Sequence, residues 1–331
     1  MATPWTAVST AQKENRRELK IDKEYNEQLQ EHGLDENVYK LINLNFLEIS
    51  NSCLSELKVE LGNLKNLTNL ALQGNQLTSL PNSIGNLSKL KFLDLSHNKL
   101  ESVPIEIGTL SELQTLNIFA NNLEEFPDIS GLKSLHRLNV SHNQLSSLPR
   151  GCCNESLVHL MDITANDNEI AEIPSEICDL PHLNILNLSN NKLSDLPLEL
   201  SECPKLKDLK LSGNKMKDRK LIKFTEQNSL KQIVQFLAAA KQKAEAAEGK
   251  KDKKPKSKKK GKKGESRDVE EVAKNLMKVL KFEPEEGLVV RADSKVADVR
   301  PYIVCCILKD LDFHQSNNMF KNFIHKQVRK K

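Results

Sequence analysis

The chain has 331 residues and a formal net charge of +4, a length that suits two ordinary domains or one elongated repeat array with appendages. Hydrophobic residues form 38% of the sequence but aromatic residues only 4%, and leucine supplies the largest share of the apolar side chains, so a solenoid is favoured over a conventional globule. The sequence has no apolar run of about 18 residues for a membrane span, and its seven cysteines lack the C-x-x-C spacing of a thiolate metal site.

The amino-terminal segment is polar. It reads MATPWTAVSTAQKENRRELK and has no apolar core of about 7 to 15 residues, so it is not a secretory signal. We expect a reducing intracellular location, chiefly the cytoplasm and secondarily the nucleus. Residues 11–32 are charged and helix-prone, with Leu19, Tyr25 and Leu29 as a sparse apolar face. We therefore predict a helical cap over residues 1–40.

A repeat of the form L-x-x-L-x-L-x-x-N-x-L occupies the middle of the chain. Seven clear copies follow one another at spacings of 22 to 25 residues, beginning at Leu67, Leu90, Leu113, Leu135, Leu160, Leu183 and Leu206. A degenerate eighth copy precedes them at Leu44, with Ser52 in place of the asparagine. This periodicity is typical of leucine-rich repeats and predicts a repeat array over residues 41–218.

The leucines and asparagines that recur in the repeat have structural roles. Leucines of the L-x-L core, such as Leu70 and Leu72, alternate on a short strand and point inward. The asparagines recur once per repeat, where an amide can bond to backbone groups that no ladder satisfies; they are Asn75, Asn98, Asn121, Asn143, Asn168, Asn191 and Asn214. The predicted fold class is α/β: a leucine-rich repeat solenoid with a curved parallel sheet, helical caps, a disordered Lys-rich linker and a partial α/β tail.

The outward strand positions form a candidate protein-binding surface on the concave face. By register they include Phe46, Phe92, Asp94, Phe119, Arg137, Asp162 and Ile185. Exposed phenylalanines on a shaped surface favour a protein partner. The alternative is that scattered apolar groups are an ordinary property of protein surfaces.

The sequence offers no catalytic set. His97 and His142 each lie in an SHN triplet two repeats apart, about 10 Å, which is too far to share a metal ion, so we interpret them as solvent-exposed loop histidines. The segment GKKGES lacks the spacing of a phosphate-binding loop. We predict no enzymatic activity, no metal, no cofactor and no small-molecule substrate.

A cap helix and a lysine run follow the repeats. Leu230, Ile233, Val234 and Leu237 have helical spacing and predict a carboxy-terminal cap over residues 219–245. Residues 246–267 are predicted to form a disordered linker that binds RNA, with tRNA as one candidate. The predicted contacts are Lys250, Lys251, Lys253, Lys254, Lys256, Lys258, Lys259, Lys260, Lys262 and Lys263. Nuclear import and a plain solubilising spacer are alternative uses of the same run.

The last segment, residues 268–331, reads as an amphipathic helix followed by strands. Its stretch VADVRPYIVCCILKDLDF resembles the beginning of the B3/B4 domain of the phenylalanyl-tRNA synthetase beta subunit, whose eukaryotic members carry I-R-P-F at the position of Val299–Tyr302. The resemblance implies a link to tRNA and translation. In that family the domain continues into an editing pocket that has no counterpart here, so no editing residue is carried over and we expect a truncated form with a partial domain.

These observations leave three functional hypotheses. The first is a non-enzymatic interaction scaffold that binds protein through the concave face and RNA through the lysine run. The second is a tRNA-handling or editing factor related to the synthetase beta subunit. The third is a signalling scaffold, because the LPxxIGxL form of the repeat resembles that of small-GTPase regulators.

Overall fold

The computed structural model describes residues 5–251, and within that range the organising element is one parallel β-sheet. Its nine strands are ordered as in the sequence: β1 (Glu18–Ile21), β2 (Phe46–Ile49), β3 (Asn69–Ala71), β4 (Phe92–Asp94), β5 (Thr115–Asn117), β6 (Arg137–Asn139), β7 (Asp162–Thr164), β8 (Ile185–Asn187) and β9 (Asp208–Lys210). Each strand pairs with the next in parallel. Since each repeat contributes one strand, the sheet grows by one strand per coil of a solenoid.

The core lies between the sheet and the segments that return outside it. The strands align one buried apolar residue each, which is leucine in all of them except Ile163 of β7. Leu70, Leu93 and Leu116 thus lie in one row and are fully buried. Five of the return segments within the repeats contain a short 3₁₀ helix; these helices are Val59–Asn63, Asn82–Asn86, Ile105–Thr109, Ser175–Asp179 and Leu198–Glu202. Strands about 4.8 Å apart occupy less width than these helices, so the sheet becomes the concave side. The predicted leucine-rich repeat fold is confirmed.

The repeat asparagines form a buried ladder, as predicted. The Nδ2 group of Asn98 donates to the carbonyl oxygens of Leu72 at 2.9 Å and Leu95 at 3.0 Å, and its Oδ1 accepts from the backbone N–H of Leu77 at 3.1 Å. The same pattern recurs at later copies, so the asparagines are structural. The ladder is incomplete at its beginning, where Ser52 replaces asparagine and Oδ1 of Asn75 has no partner among the described residues.

The amino-terminal region differs from the predicted helical cap over residues 1–40. Two helices are present, α1 (Thr6–Lys13) and α2 (Asn26–His32), but β1 lies between them and pairs with β2. The sheet therefore begins one strand earlier than the eight repeats predicted. Within β1 the exposed and buried residues alternate, and the charged residues at its outward positions gave the segment the composition of a surface helix. The Trp5 ring, stacked on Tyr25 at 4.7 Å, closes this end of the core.

The carboxy-terminal end of the core is covered by α3 (Arg219–Glu226) and α4 (Leu230–Lys251). Ile233 and Leu237 of α4 are buried, and this helix packs against the last 3₁₀ helix, Leu198–Glu202. The predicted disordered linker began at residue 246, whereas the helix continues to Lys251. The alanine-rich sequence AAAKQKAEAAE explains the difference, because alanine, lysine, glutamine and glutamate all have high helix propensity.

Candidate protein-binding surface

Two columns of outward side chains cover the concave face of the sheet. Strand register places the first at Glu18, Phe46, Asn69, Phe92, Thr115, Arg137, Asp162, Ile185 and Asp208. It places the second at Lys20, Glu48, Ala71, Asp94, Asn117, Asn139, Thr164, Asn187 and Lys210. Adjacent strands are about 4.8 Å apart, so each column is a continuous row that an extended chain can follow.

The predicted apolar residues of this face are half-buried rather than fully exposed. Phe46, Phe92 and Ile185 all lie in the first column, in agreement with the register. The Phe46 ring is partly covered by Lys20, whose Nζ lies 5.4 Å from the ring centroid. Ala71 points to the same face but is only 7% exposed, because its larger neighbours cover it. Among residues 5–244, the most exposed large apolar side chain lies on the opposite, convex side: Ile105, at 77%.

The acidic residues of the face are held in defined positions. Asp94 Oδ1 accepts from the Ser96 N–H at 2.9 Å, and its Oδ2 accepts from Asn117 Nδ2 at 3.0 Å. Asp162 forms an ion pair with the neighbouring Arg137, with 3.3 Å between Oδ2 and Nε. The arginine side chain remains 70% exposed, so most of its hydrogen-bonding capacity is directed to solvent. The predicted residues Asp94, Arg137 and Asp162 therefore form a fixed polar surface beside the apolar ones.

Phe119 lies outside the strands, contrary to the prediction that groups it with strand residues. It follows β5 by two positions, and its ring packs edge-on between the rings of His97 and His142, at 4.9 and 4.8 Å. Each histidine precedes a ladder asparagine and has a left-handed backbone, with φ of 54°. The prediction of exposed loop histidines is correct, but the sequence did not reveal that they flank a phenylalanine.

Asp167 continues this edge one repeat further. Its Oδ2 lies 3.2 Å from Nε2 of His142, and its Oδ1 accepts from Asn190 Nδ2 at 2.8 Å. Partial burial raises the pKa of the Asp167 carboxyl, but the hydrogen bonds from Asn166 and Asn190 and the nearby His142 outweigh it, so the pKa falls below its usual value. In four consecutive repeats the residue before the ladder asparagine is His97, Ala120, His142 and Asp167, and this series of positions is the sequence signal that could have identified the edge.

Two grooves lie away from the strand columns. One of about 430 Å³ is lined by Arg150, Cys152, Cys153 and residues of the next return segment. It lies between the return segment after β6, which has no 3₁₀ helix, and the return segment that contains the helix Ser175–Asp179. The Sγ atoms of the two cysteines are 3.5 Å apart, and all five cysteines in the described part of the chain are free thiols.

The second groove, of about 410 Å³, lies at the edge where the strands begin and is lined by Met161, His182, Asn184, Pro204, Lys205, Leu206 and Lys207. The rings of His136 and His159 stack along the same edge at 5.3 Å. Sequence reasoning missed both features, although His159, His182 and Lys205 each lie three residues before a strand, at corresponding repeat positions.

The described residues contain no group of three or more histidine, cysteine or acidic side chains arranged for a metal ion. Between residues 5 and 251, none of the helices is both long enough and apolar enough for a bilayer crossing. Of the ten predicted RNA-binding lysines, Lys250 and Lys251 belong to α4, and the other eight lie outside the described residues. The segment that resembles the B3/B4 domain lies outside them as well.

Comparison with known families agrees with this geometry. A model described as Leucine rich repeat matches residues 65–123 and 158–216, and a second model of the same description matches residues 134–154. The protein is therefore a leucine-rich repeat solenoid over this part of the chain. A comparison with curated proteins finds no match.

Solved structures of leucine-rich repeat proteins share the fold. A leucine-rich repeat protein of Leptospira interrogans is 27% identical, with a TM-score of 0.58 over 69% of this chain and 63% of that one. The leucine-rich repeat ectodomain of the Arabidopsis receptor kinase HAESA, solved in complex with a peptide hormone ligand, is 34% identical, with a TM-score of 0.50 over 56% of this chain and 32% of that one. The chain thus spans less than two thirds of the length of either structure.

Proposed function

We propose that this protein is a non-enzymatic scaffold whose concave face binds an extended segment of another protein. The observation that carries the proposal is the first outward column, in which Phe46, Phe92 and Ile185 are interspersed with fixed polar groups. Half-buried aromatic rings lose less side-chain entropy on binding than mobile chains, and they offer apolar area beside oriented carboxylates. The HAESA ectodomain, a repeat structure of similar fold, is bound to a peptide hormone, which supports the use of such a surface for peptides.

The charges of the face favour a basic partner. Its two columns contain five acidic residues, Glu18, Glu48, Asp94, Asp162 and Asp208, and three basic ones, Lys20, Arg137 and Lys210. A surface with excess negative charge attracts cationic segments and repels polyanions. This balance argues for protein rather than nucleic acid at this face.

The proposal is tested by site-specific photo-crosslinking. A photo-reactive phenylalanine analogue at Thr115, in the first column, should crosslink to a partner in cell extract, whereas the same analogue at Asn82, on the convex side, should not. Phe92→Ser should abolish the Thr115 crosslink, because it removes the adjacent apolar contact. Ile105→Ser serves as the matched control, since it removes an exposed apolar group from the convex side. A Thr115 crosslink that persists in Phe92→Ser and is equalled at Asn82 contradicts the proposal.

We propose further that the lysine run from residue 250 to 263 contacts RNA. Ten lysines in fourteen residues neutralise phosphates without reading sequence, so the affinity should fall steeply with salt. Replacing all ten with serine should weaken binding of an unstructured RNA. Unchanged affinity would show that the run is a spacer or a nuclear import signal.

A finer proposal concerns residues 268–331. We propose that they are the first part of a B3/B4-like domain, in the order of segments found in leucine-rich repeat-containing protein 47, which gives the scaffold a translation-related role. The support is the likeness of VADVRPYIVCCILKDLDF to the synthetase family. The alternative, an editing factor, predicts deacylation of Tyr-tRNA(Phe) by the purified chain above background, and we expect none.

A further inference from the structure

The described residues are sharply divided in charge at residue 204. Residues 5–204 contain 28 acidic and 15 basic residues, a net charge of −13. Residues 205–244 contain 11 lysines and arginines but only three acidic residues, a net charge of +8 over forty residues. We call these the acidic region and the basic end. Seven of the eleven cationic residues of the basic end lie on β9, α3 and α4, and the other four lie in the segments that flank β9.

Most of this positive charge is available to a ligand. Ten of the eleven cationic side chains are exposed, the exception being Lys241, which pairs with Glu202. Lys210 pairs with Asp208 at 3.5 Å. The remaining nine make no ion pair with any side chain that the structure describes. Unpaired cations at this density repel one another, so binding of a polyanion relieves their repulsion.

The basic end also has a recess. Lys205 and Lys207 line the second groove together with His182 and Met161, an imidazole and a thioether that offer flat or polarisable contacts. Its volume of about 410 Å³ falls within the range of about 300–1,000 Å³ for small-molecule sites. Stacked His136 and His159 extend this edge with further ring surface.

We propose that the basic end binds single-stranded RNA, with phosphates on the exposed lysines and one unstacked base in the groove beside His182. The inference rests on the RNA-binding part of the proposed function and moves its centre from the lysine run to a folded surface. Single strands are favoured because a base must leave its stack to enter the groove, and rings and cations together are the usual platform for such bases. An acidic protein segment has the charge but lacks the base that the groove would hold.

The test measures affinity of the full chain for a fluorescent twenty-nucleotide uridine RNA across a salt series. The end variant carries Lys220→Ser, Lys223→Ser and Lys231→Ser, all exposed positions on α3 and α4. The control variant carries Lys13→Ser, Lys65→Ser and Lys99→Ser, three exposed lysines of the acidic region with the same loss of charge. A third variant replaces the ten lysines of residues 250–263.

We expect the end variant to bind about tenfold more weakly at 0.1 M salt, and the slope of log K against log salt to become shallower by about 2, since each lost phosphate contact contributes about 0.7. The control variant should retain both values. His182→Ala should weaken the uridine RNA severalfold and leave an abasic strand of the same length unaffected. Thermal unfolding followed by circular dichroism verifies that each variant is folded, and Lys205→Ser with Lys207→Ser is the substitute if the end variant is not.

The contrary outcomes are distinct. If the third variant alone loses RNA, the lysine run binds as proposed and the folded surface does not, so this inference is wrong. If no protein binds RNA, both it and the RNA-binding part of the proposed function are wrong. If polyglutamate displaces the RNA at equal charge concentration, and the abasic strand binds as well as the uridine strand, the basic end is a site for acidic polypeptides instead.

Discussion

The acidic region and the basic end share one backbone plan but present opposite surfaces. Leu186 of β8 and Leu209 of β9 are aligned and buried alike, whereas the outward residues change from Ile185 and Asn187 to Asp208 and Lys210. The ladder also continues unchanged, since the Nδ2 groups of successive repeat asparagines donate to equivalent carbonyl oxygens. Inward-facing residues are constrained by packing, and outward-facing residues are free to vary. A repeat protein can therefore join two surfaces of opposite charge without a domain boundary.

The largest predicted effect tests the shared ladder. Asn121→Ala leaves the N–H of Leu100 without its acceptor and removes one of the two amide donors to each of the carbonyls of Leu95 and Ile118, which Asn98 and Asn143 still bond. One buried unsatisfied group costs about 1–3 kcal/mol and each of the two lost hydrogen bonds about 1 kcal/mol, so we expect the free energy of unfolding to fall by about 4 kcal/mol. Asn214→Ala, at the half-buried last copy, should lower it by about half as much. Urea denaturation measures both free energies. Equal losses would mean that the contribution of a ladder asparagine to stability does not depend on how deeply it is buried.

The second prediction concerns Cys203, which lies where the two regions meet. Burial, together with the nearby Cys178, Cys153 and Glu202, raises the pKa of its thiol to about 11. Because the thiolate is the reactive form, alkylation at pH 8 should be about a hundredfold slower than in the urea-unfolded chain and should rise about tenfold per pH unit. Peptide mapping after timed alkylation measures the rate. A rate equal to that of the unfolded chain would contradict the raised pKa and mean that burial does not protect this thiol.

The third prediction concerns the helix that opens the carboxy-terminal cap. Asp218 Oδ1 accepts from the N–H of Lys220 at 2.7 Å and of Leu221 at 3.3 Å. Asp218→Ala should cost about 1 kcal/mol of unfolding free energy, since it removes the N-cap. Asp218→Asn should cost less, because asparagine caps helices as well. If the two variants are equally destabilised, the carboxylate acts on the surrounding lysines by its charge and not as a cap.

The smallest predicted effect tests the acidic region at low pH. The pKa of Asp167 is lowered in the folded state, so its ionised form stabilises the fold above the unfolded pKa, about 3.9, and this contribution is lost as the pH falls through the folded value. The effect should remain below about 1 kcal/mol because the side chain is partly exposed. Asp167→Asn tolerates the left-handed backbone and should flatten the dependence of stability on pH below 4. If the free energies of unfolding of the wild type and of Asp167→Asn change in parallel with pH, the lowered pKa of Asp167 is contradicted.

The repeats allowed the sheet and the inward residues to be predicted from sequence, but the ends and edges required the structure. Strand β1 was missed because Glu18 and Lys20 give it the composition of a surface helix, and only its pairing with β2 identifies it. The position of Phe119 was misjudged because the pattern aligns residues without stating where each strand ends. The groove beside His182 unites residues from successive repeats, and their proximity depends on stacking.

What the sequence by itself determined is the interior of this protein. Leucine and asparagine recur at a fixed period, and each repeat must bury the same side chains and satisfy the same backbone groups, so one local pattern specifies every coil. Tertiary structure alone decided which outward residues become neighbours. Strand register places residues some 23 positions apart within reach of each other, and it thereby turns scattered charges into an acidic face and a basic end.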